Sequence, residues 1–84
     1  MAFIYKLVGF DRKTERLAAA YDIPSALVES AREIAGIASR PEIVGDWPLT
    51  PRQAAAIADM IDQRIDLGCQ DFALEPYETE SRSA

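Results

Sequence analysis

Phe3, Tyr5, Leu7 and Gly9 alternate with Ile4, Lys6, Val8 and Phe10, and both alternations are largely apolar. Residues that alternate in this way point to opposite faces of a strand, so a run apolar on both belongs inside a sheet rather than on its rim. The run therefore predicts a central strand near the start of the chain, and everything downstream must supply its neighbours. The polar stretch Asp11 to Glu15 reads as a turn. Leu17, Ala19, Tyr21 and Ile23, with Arg16 and Asp22 on the other alternation, read as the returning strand of a hairpin. The alanines there favour helix, and Leu17, Ala20 and Tyr21 also fit helical spacing; Pro24 ends either form.

From Ser25, a plausible N-cap, Leu27, Val28, Ala31, Ile34, Ala35 and Ala38 trace one apolar helical face, with Glu29, Arg32 and Glu33 opposite. After a link at Ser39 to Pro41, the alternation of Ile43, Gly45, Trp47 and Leu49 against Val44 and Asp46 predicts a third strand. Pro41 and Pro48 bracket it, and proline cannot donate to a ladder, so this strand is expected to be short and at an edge. Thr50-Pro51-Arg52-Gln53 is a sharp start signal: a threonine cap, proline at the first helical position, and a glutamine able to reach back in a capping box. Ala54, Ile57, Ala58, Ile61 and Ile65 form the apolar stripe of this second helix, and Gly68 is the expected C-cap. Phe72 and Leu74 alternate with Ala73 and Glu75 as a last strand, ended by Pro76.

The resulting order, β-β-α-β-α-β, predicts an α+β two-layer sandwich: a mainly antiparallel three- or four-stranded sheet with two helices on one face. Eighty-four residues provide for one such core. Residues 1–77 are expected to form the domain and 78–84 a disordered polar tail.

Chemistry is limited by what the chain lacks. It contains no histidine, which removes the commonest general base and metal ligand and, with it, serine and cysteine triads. Gly9, Gly36, Gly45 and Gly68 are isolated, so neither nucleotide-binding glycine fingerprint can be written. Lys6, on a strand, is expected to reach the rim with its ammonium group rather than act as a base. The single Cys69 cannot form an internal disulfide and is expected to be a small buried side chain beside the end of the second helix.

Net charge is −5, a field that repels nucleic acid and anionic lipid. The longest apolar runs, Leu17 to Tyr21 and Ala54 to Ala58, fall far short of the roughly 20 residues of a membrane helix. Met1 to Phe10 lacks the form of a signal peptide, and a cytoplasmic location is expected. The charge is uneven: residues 1–41 hold six basic and five acidic groups, and 42–84 hold three and nine. Asp59, Asp62 and Asp66 lie at i, i+3 and i+7, which would set them along one solvated strip of the second helix. Trp47 offers either a recognition surface or a core side chain in register with Ile43 and Leu49.

Tyr5-x-Leu7-x-Gly9-Phe10-Asp11-x-x-Thr14, Trp47-Pro48-Leu49-Thr50-x-x-Gln53-Ala54 and Asp71-Phe72-x-Leu74-Glu75 resemble small uncharacterised bacterial proteins, a class without an assigned activity. The resemblance spans nearly the whole chain and implies a compact domain. The residues themselves favour a non-catalytic, acidic protein-binding or inhibitory module, with Trp47, Asp59, Asp62 and Asp66 as the partner-binding residues, a basic protein as the partner, and no cofactor or metal. A homodimer pairing through a sheet edge is the second expectation, and a carboxylate-based metal binder or enzyme the third.

Overall fold

A computed structural model describes residues 2–37 and 46–79. Strand β1 (Ala2–Asp11) is followed by β2 (Leu17–Ile23), a 3-10 turn (Ser25–Leu27), helix α1 (Val28–Ala35), β3 (Trp47–Pro48), α2 (Pro51–Met60) and β4 (Gln70–Thr79). The strands form one antiparallel sheet in the order β2-β1-β4-β3. The expected α+β architecture and the central place of the first strand are what the structure has. Residues 17–23 pair with β1 from Tyr5↔Ile23 to Phe10↔Leu17, so partnership with an apolar strand overrides the helical propensity of Ala18, Ala19 and Ala20.

The hairpin turn follows from Asp11. Its Oδ1 accepts from the backbone N–H of Lys13 (2.8 Å) and Thr14 (3.0 Å), and Thr14 Oγ1 accepts from Arg16 N–H (3.2 Å). This is an Asx turn, in which a short carboxylate mimics a backbone acceptor. Those backbone donors also hold the Asp11 carboxyl below its ordinary pKa.

One core fills the space between sheet and helices. Tyr5 and Leu7 of β1, Ile23 of β2, Phe72 and Leu74 of β4, Ala31 and Ala35 of α1, and Ala54, Ile57 and Ala58 of α2 are all buried in it. Both helices therefore pack on the sheet face that carries the odd-numbered residues of β1. Their interface consists largely of alanine, which lets the helical backbones lie close to the sheet.

Both helices stop earlier than their apolar spacing suggests. In α1, Gly36 adopts φ 80°, with Gly36 N–H bonded to Glu33 O and Ile37 N–H to Arg32 O. That is a Schellman turn, and it delivers Ile37 into the core. Ala38, expected on the helix, lies outside the described residues. In α2 the expected continuation through Ile65 to a cap at Gly68 is replaced by the same turn six residues earlier. Asp62 takes φ 60°, its N–H bonds Asp59 O, and Gln63 N–H bonds Ala58 O. Aspartate tolerates the left-handed region better than most residues, so it stands where glycine was expected. Ile61 and Ile65 still pack against the core, from beyond the helix end.

The third strand, Trp47–Pro48, is short and lies at the sheet edge, as expected, and Ile43 to Gly45 lie outside the described residues. The last strand starts at Gln70 and runs through Pro76 to Thr79. Pro76 is tolerated because of alternation: Phe72 O accepts from Leu49 N–H, so even-numbered residues of β4 direct their backbone groups toward β3. The N–H that Pro76 lacks is thus not one the β1–β4 ladder would use. Glu78 and Thr79, the first residues of the expected tail, pair with β1; residues 80–84 lie outside the described residues. Cys69 is exposed rather than buried, because the helix it was to sit beside ends at Met60. Among the described residues no helix is long and apolar enough to cross a membrane.

Candidate functional site

The residues expected to bind a partner do not come together. Asp59 is exposed on α2, Asp62 is spent on the Schellman turn, and Asp66 lies in the following loop. Asp66 Oδ1 accepts from the N–H groups of Gly68 (2.9 Å) and Cys69 (3.2 Å). A strip at i, i+3 and i+7 requires a helix that continues past Asp66, and this one ends at Met60. Among the described residues no group of three or more potential metal-ligating side chains forms.

Trp47 is half-buried against the core on the helix side of the sheet. Its indole N–H donates to Ala35 O (3.1 Å), while Gln53 Nε2 donates to Ile34 O (3.1 Å). The last carbonyls of a helix lack intrahelical partners, and here two of them are taken by side chains from β3 and α2. Gln53 also completes the capping box: Thr50 N–H donates to Gln53 Oε1 (2.9 Å) and Gln53 N–H to Thr50 Oγ1 (3.1 Å). Trp47, Thr50 and Gln53 thus clamp the end of α1 to the start of α2. The motif that carries the sequence resemblance is structural at these positions, as it is at Asp11 and Thr14.

Among the described residues, no helix packs on the other face of the sheet. Val8 and Ala73 are buried at its centre, but Ile4, Leu17 and Tyr77 are 39%, 55% and 37% exposed. Across this face runs one row of charge set by register. Lys6 pairs with Asp22 on β2 and with Glu75 on β4. Because Trp47 pairs with Leu74, Asp46 falls beside Glu75. The row therefore reads Asp22, Lys6, Glu75, Asp46, with three carboxylates around one ammonium group.

Lys6 Nζ lies 3.5 Å from Asp22 Oδ1 and 4.9 Å from the centre of the Tyr77 ring, a position that adds a cation–π contact to the ion pair. The Asp46 carboxyl donates to the Glu75 carboxylate, which also accepts from the Tyr77 hydroxyl. Asp46 is pushed up to about 6, first by this hydrogen bond, then by partial burial and the charge of Glu75. Glu75 is lowered by the hydrogen bonds from Asp46 and Tyr77 and by nearby Lys6. Tyr77 is raised because its phenol donates to an anion.

Near neutrality the pair carries close to two negative charges, and below about pH 6 it holds a proton. Sequence reading missed this row because Lys6, Asp46 and Glu75 are far apart in the chain. The available signal was one of parity at Lys6, the polar member of the otherwise apolar alternation Ile4, Lys6, Val8, Phe10.

No curated protein and no solved structure shows a significant match to the chain. Residues 4–75 match a sequence family that spans β1 to β4, including the hairpin turn, the clamp on α1 and the charged row. The chain belongs to that family, the domain of unknown function DUF7683.

Proposed function

We propose that the chain is a non-catalytic protein-binding module, working in the cytoplasm, whose outer sheet face takes a protein partner presenting basic side chains beside apolar ones. The observation that carries this reading is the composition of that face: exposed Ile4, Leu17 and Tyr77 around Asp22, Glu75 and Asp46, with Lys6 as the only cation in the row. Lys6 is occupied by Asp22, which leaves the Glu75–Asp46 end for an incoming guanidinium or ammonium group. Apolar contact supplies most of the affinity in such an arrangement, and the carboxylates supply orientation and association rate. A second copy is a poor occupant of this face, because it would set two acidic rows against each other.

The test is affinity capture with the wild-type chain, followed by titration of the captured partner at rising salt. Capture is expected to survive charge reversal at Asp59, Asp62 and Asp66, to be lost in the double variant Asp46→Lys/Glu75→Lys and in Ile4→Asp, and to weaken with salt. If the sheet-face variants retain the partner while the Asp59, Asp62 and Asp66 variants lose it, the face is wrong though the binding function stands. Retention by all of them, with no salt dependence, refutes both.

A further inference from the structure

The sheet has two edges, and they are built differently. At the β3 edge the strand is two residues long and contains Pro48. Leu49 N–H bonds Phe72 O, so Pro48 directs its donorless nitrogen outward, which blunts this edge against further pairing. The β2 edge, Leu17–Ile23, has seven residues, with neither proline nor lysine among them. Among the described residues no strand pairs with its outer side.

The backbone groups available there can be assigned. Asp11 N–H bonds Arg16 O and Arg12 N–H bonds Cys69 O, so odd residues of β1 face β2 and even ones face β4. Through the register Tyr5↔Ile23, Leu7↔Tyr21 and Gly9↔Ala19, the inward positions of β2 are Ala19, Tyr21 and Ile23. Ala20 and Asp22 direct their N–H and C=O groups outward. The bulge between Gly9 and Phe10 breaks the regular strand beyond Ala19 and confines the usable edge to Ala19–Ile23.

We propose that this edge pairs antiparallel with the same edge of a second copy of the chain, about a two-fold axis at Tyr21. The pairing joins two four-stranded sheets into one. In that register Ala20 of each copy exchanges hydrogen bonds with Asp22 of the other, and the two Tyr21 side chains meet at the axis on the helix side. The occupant is a second copy because the strand is complementary to itself. Each Asp22 falls opposite an alanine rather than a like charge. Asp22 is also the only carboxylate in the segment, and Lys6 at 3.5 Å offsets its charge. On a chain of net charge −5, this strip therefore approaches its own copy with little repulsion. The pairing leaves both outer faces open side by side, so it is independent of the partner proposed above and would add bivalency to it.

Light scattering coupled to size exclusion on the full chain tests the proposal, with Ala20→Pro and Ala20→Lys as edge variants. A third variant, Tyr21→Cys in a Cys69→Ser background, places facing thiols at a non-hydrogen-bonded pair, where cross-strand Cα atoms lie about 4.5 Å apart, within disulfide range. The wild type is expected to run at twice the chain mass and to dissociate on dilution. Ala20→Pro removes only an outward N–H and is expected to run at one chain mass with unchanged far-ultraviolet circular dichroism; if it does not fold, Ala20→Lys decides in its place. Tyr21→Cys is expected to yield a covalent dimer on oxidation. A wild type of one chain mass at every concentration up to its solubility limit overturns the proposal. So does a dimer that survives both edge variants, or a dimer in which Tyr21→Cys forms no cross-link.

Discussion

Gly9 lies near the end of β1 on the helix side, opposite Ala19 on one neighbour and Phe72 on the other. A Cβ added there would meet Gln70 Oε1 and would stand 2.6 Å from Phe72 Cε1 and 3.1 Å from Cζ. The glutamine oxygen can swing away, but Phe72 is 5% exposed and packed within the core, so its ring can give way only by disturbing that packing. Overpacking of this kind costs about 1–3 kcal/mol. Against it stands the backbone entropy that alanine saves relative to glycine, roughly 0.5–1 kcal/mol. The clash wins, and Gly9→Ala should lose about 1–2 kcal/mol, or roughly 5–15 °C in Tm for a domain of this size. Urea and thermal denaturation followed by circular dichroism measure it. The cause is then checked with Phe72→Leu, which shortens the obstructing ring: the double variant should lose less than the sum of the single losses. A Gly9→Ala protein as stable as the wild type, or costs that simply add, would refute the packing of Phe72 against Gly9.

Thr50→Ala removes the acceptor for Gln53 N–H and should cost about 1 kcal/mol, read from the urea midpoint. Arg12 joins the hairpin turn to the start of β4, through Asp71 Oδ1 at 2.8 Å, and to the loop before it, through the carbonyls of Gly68 and Leu67 at 3.1 and 3.0 Å. These bonds are exposed, so Arg12→Ala should cost no more than about 1 kcal/mol and should show mainly as faster proteolysis within residues 61–69. Asp46 is an acid whose folded pKa, about 6, lies above its ordinary value of 3.8. The native state therefore binds the extra proton, and this group's contribution is full below about pH 4 and lost as pH rises through 6. Solvent screening limits that contribution to about 1 kcal/mol or less. Asp46→Asn should flatten the fall in stability expected of the wild type between pH 4 and 6, measured as Tm against pH.

The parts of the fold that depend on a few adjacent residues were legible in the sequence. The capping box needs only Thr50 to Gln53, and the first strand declares itself by its alternation. Gly36 also carried the signal that ends α1, although the apolar spacing through Ala38 argued for continuation. The end of α2 was not legible, because Ile61 and Ile65 keep the helical period while Asp62 takes the left-handed conformation that glycine usually marks. Pro76 looked like a strand terminator, since which neighbour its missing N–H would face depends on a register that no local pattern reveals. The charged row was hidden for the same reason. Lys6, Asp22, Asp46 and Glu75 become neighbours only through the pairing of four segments, whereas Asp59, Asp62 and Asp66 looked like neighbours through a helix that stops short.

We propose the outer sheet face, rather than the acidic end of α2, as the functional surface. Nuclear magnetic resonance of the isotope-labelled chain, titrated with the partner recovered by capture, tests it most directly. The largest chemical-shift changes are expected on Ile4, Lys6, Asp22, Asp46, Glu75 and Tyr77, while Asp59, Asp62 and Asp66 stay unchanged. Changes centred on Asp59 to Asp66, with β1 and β4 unaffected, would contradict it.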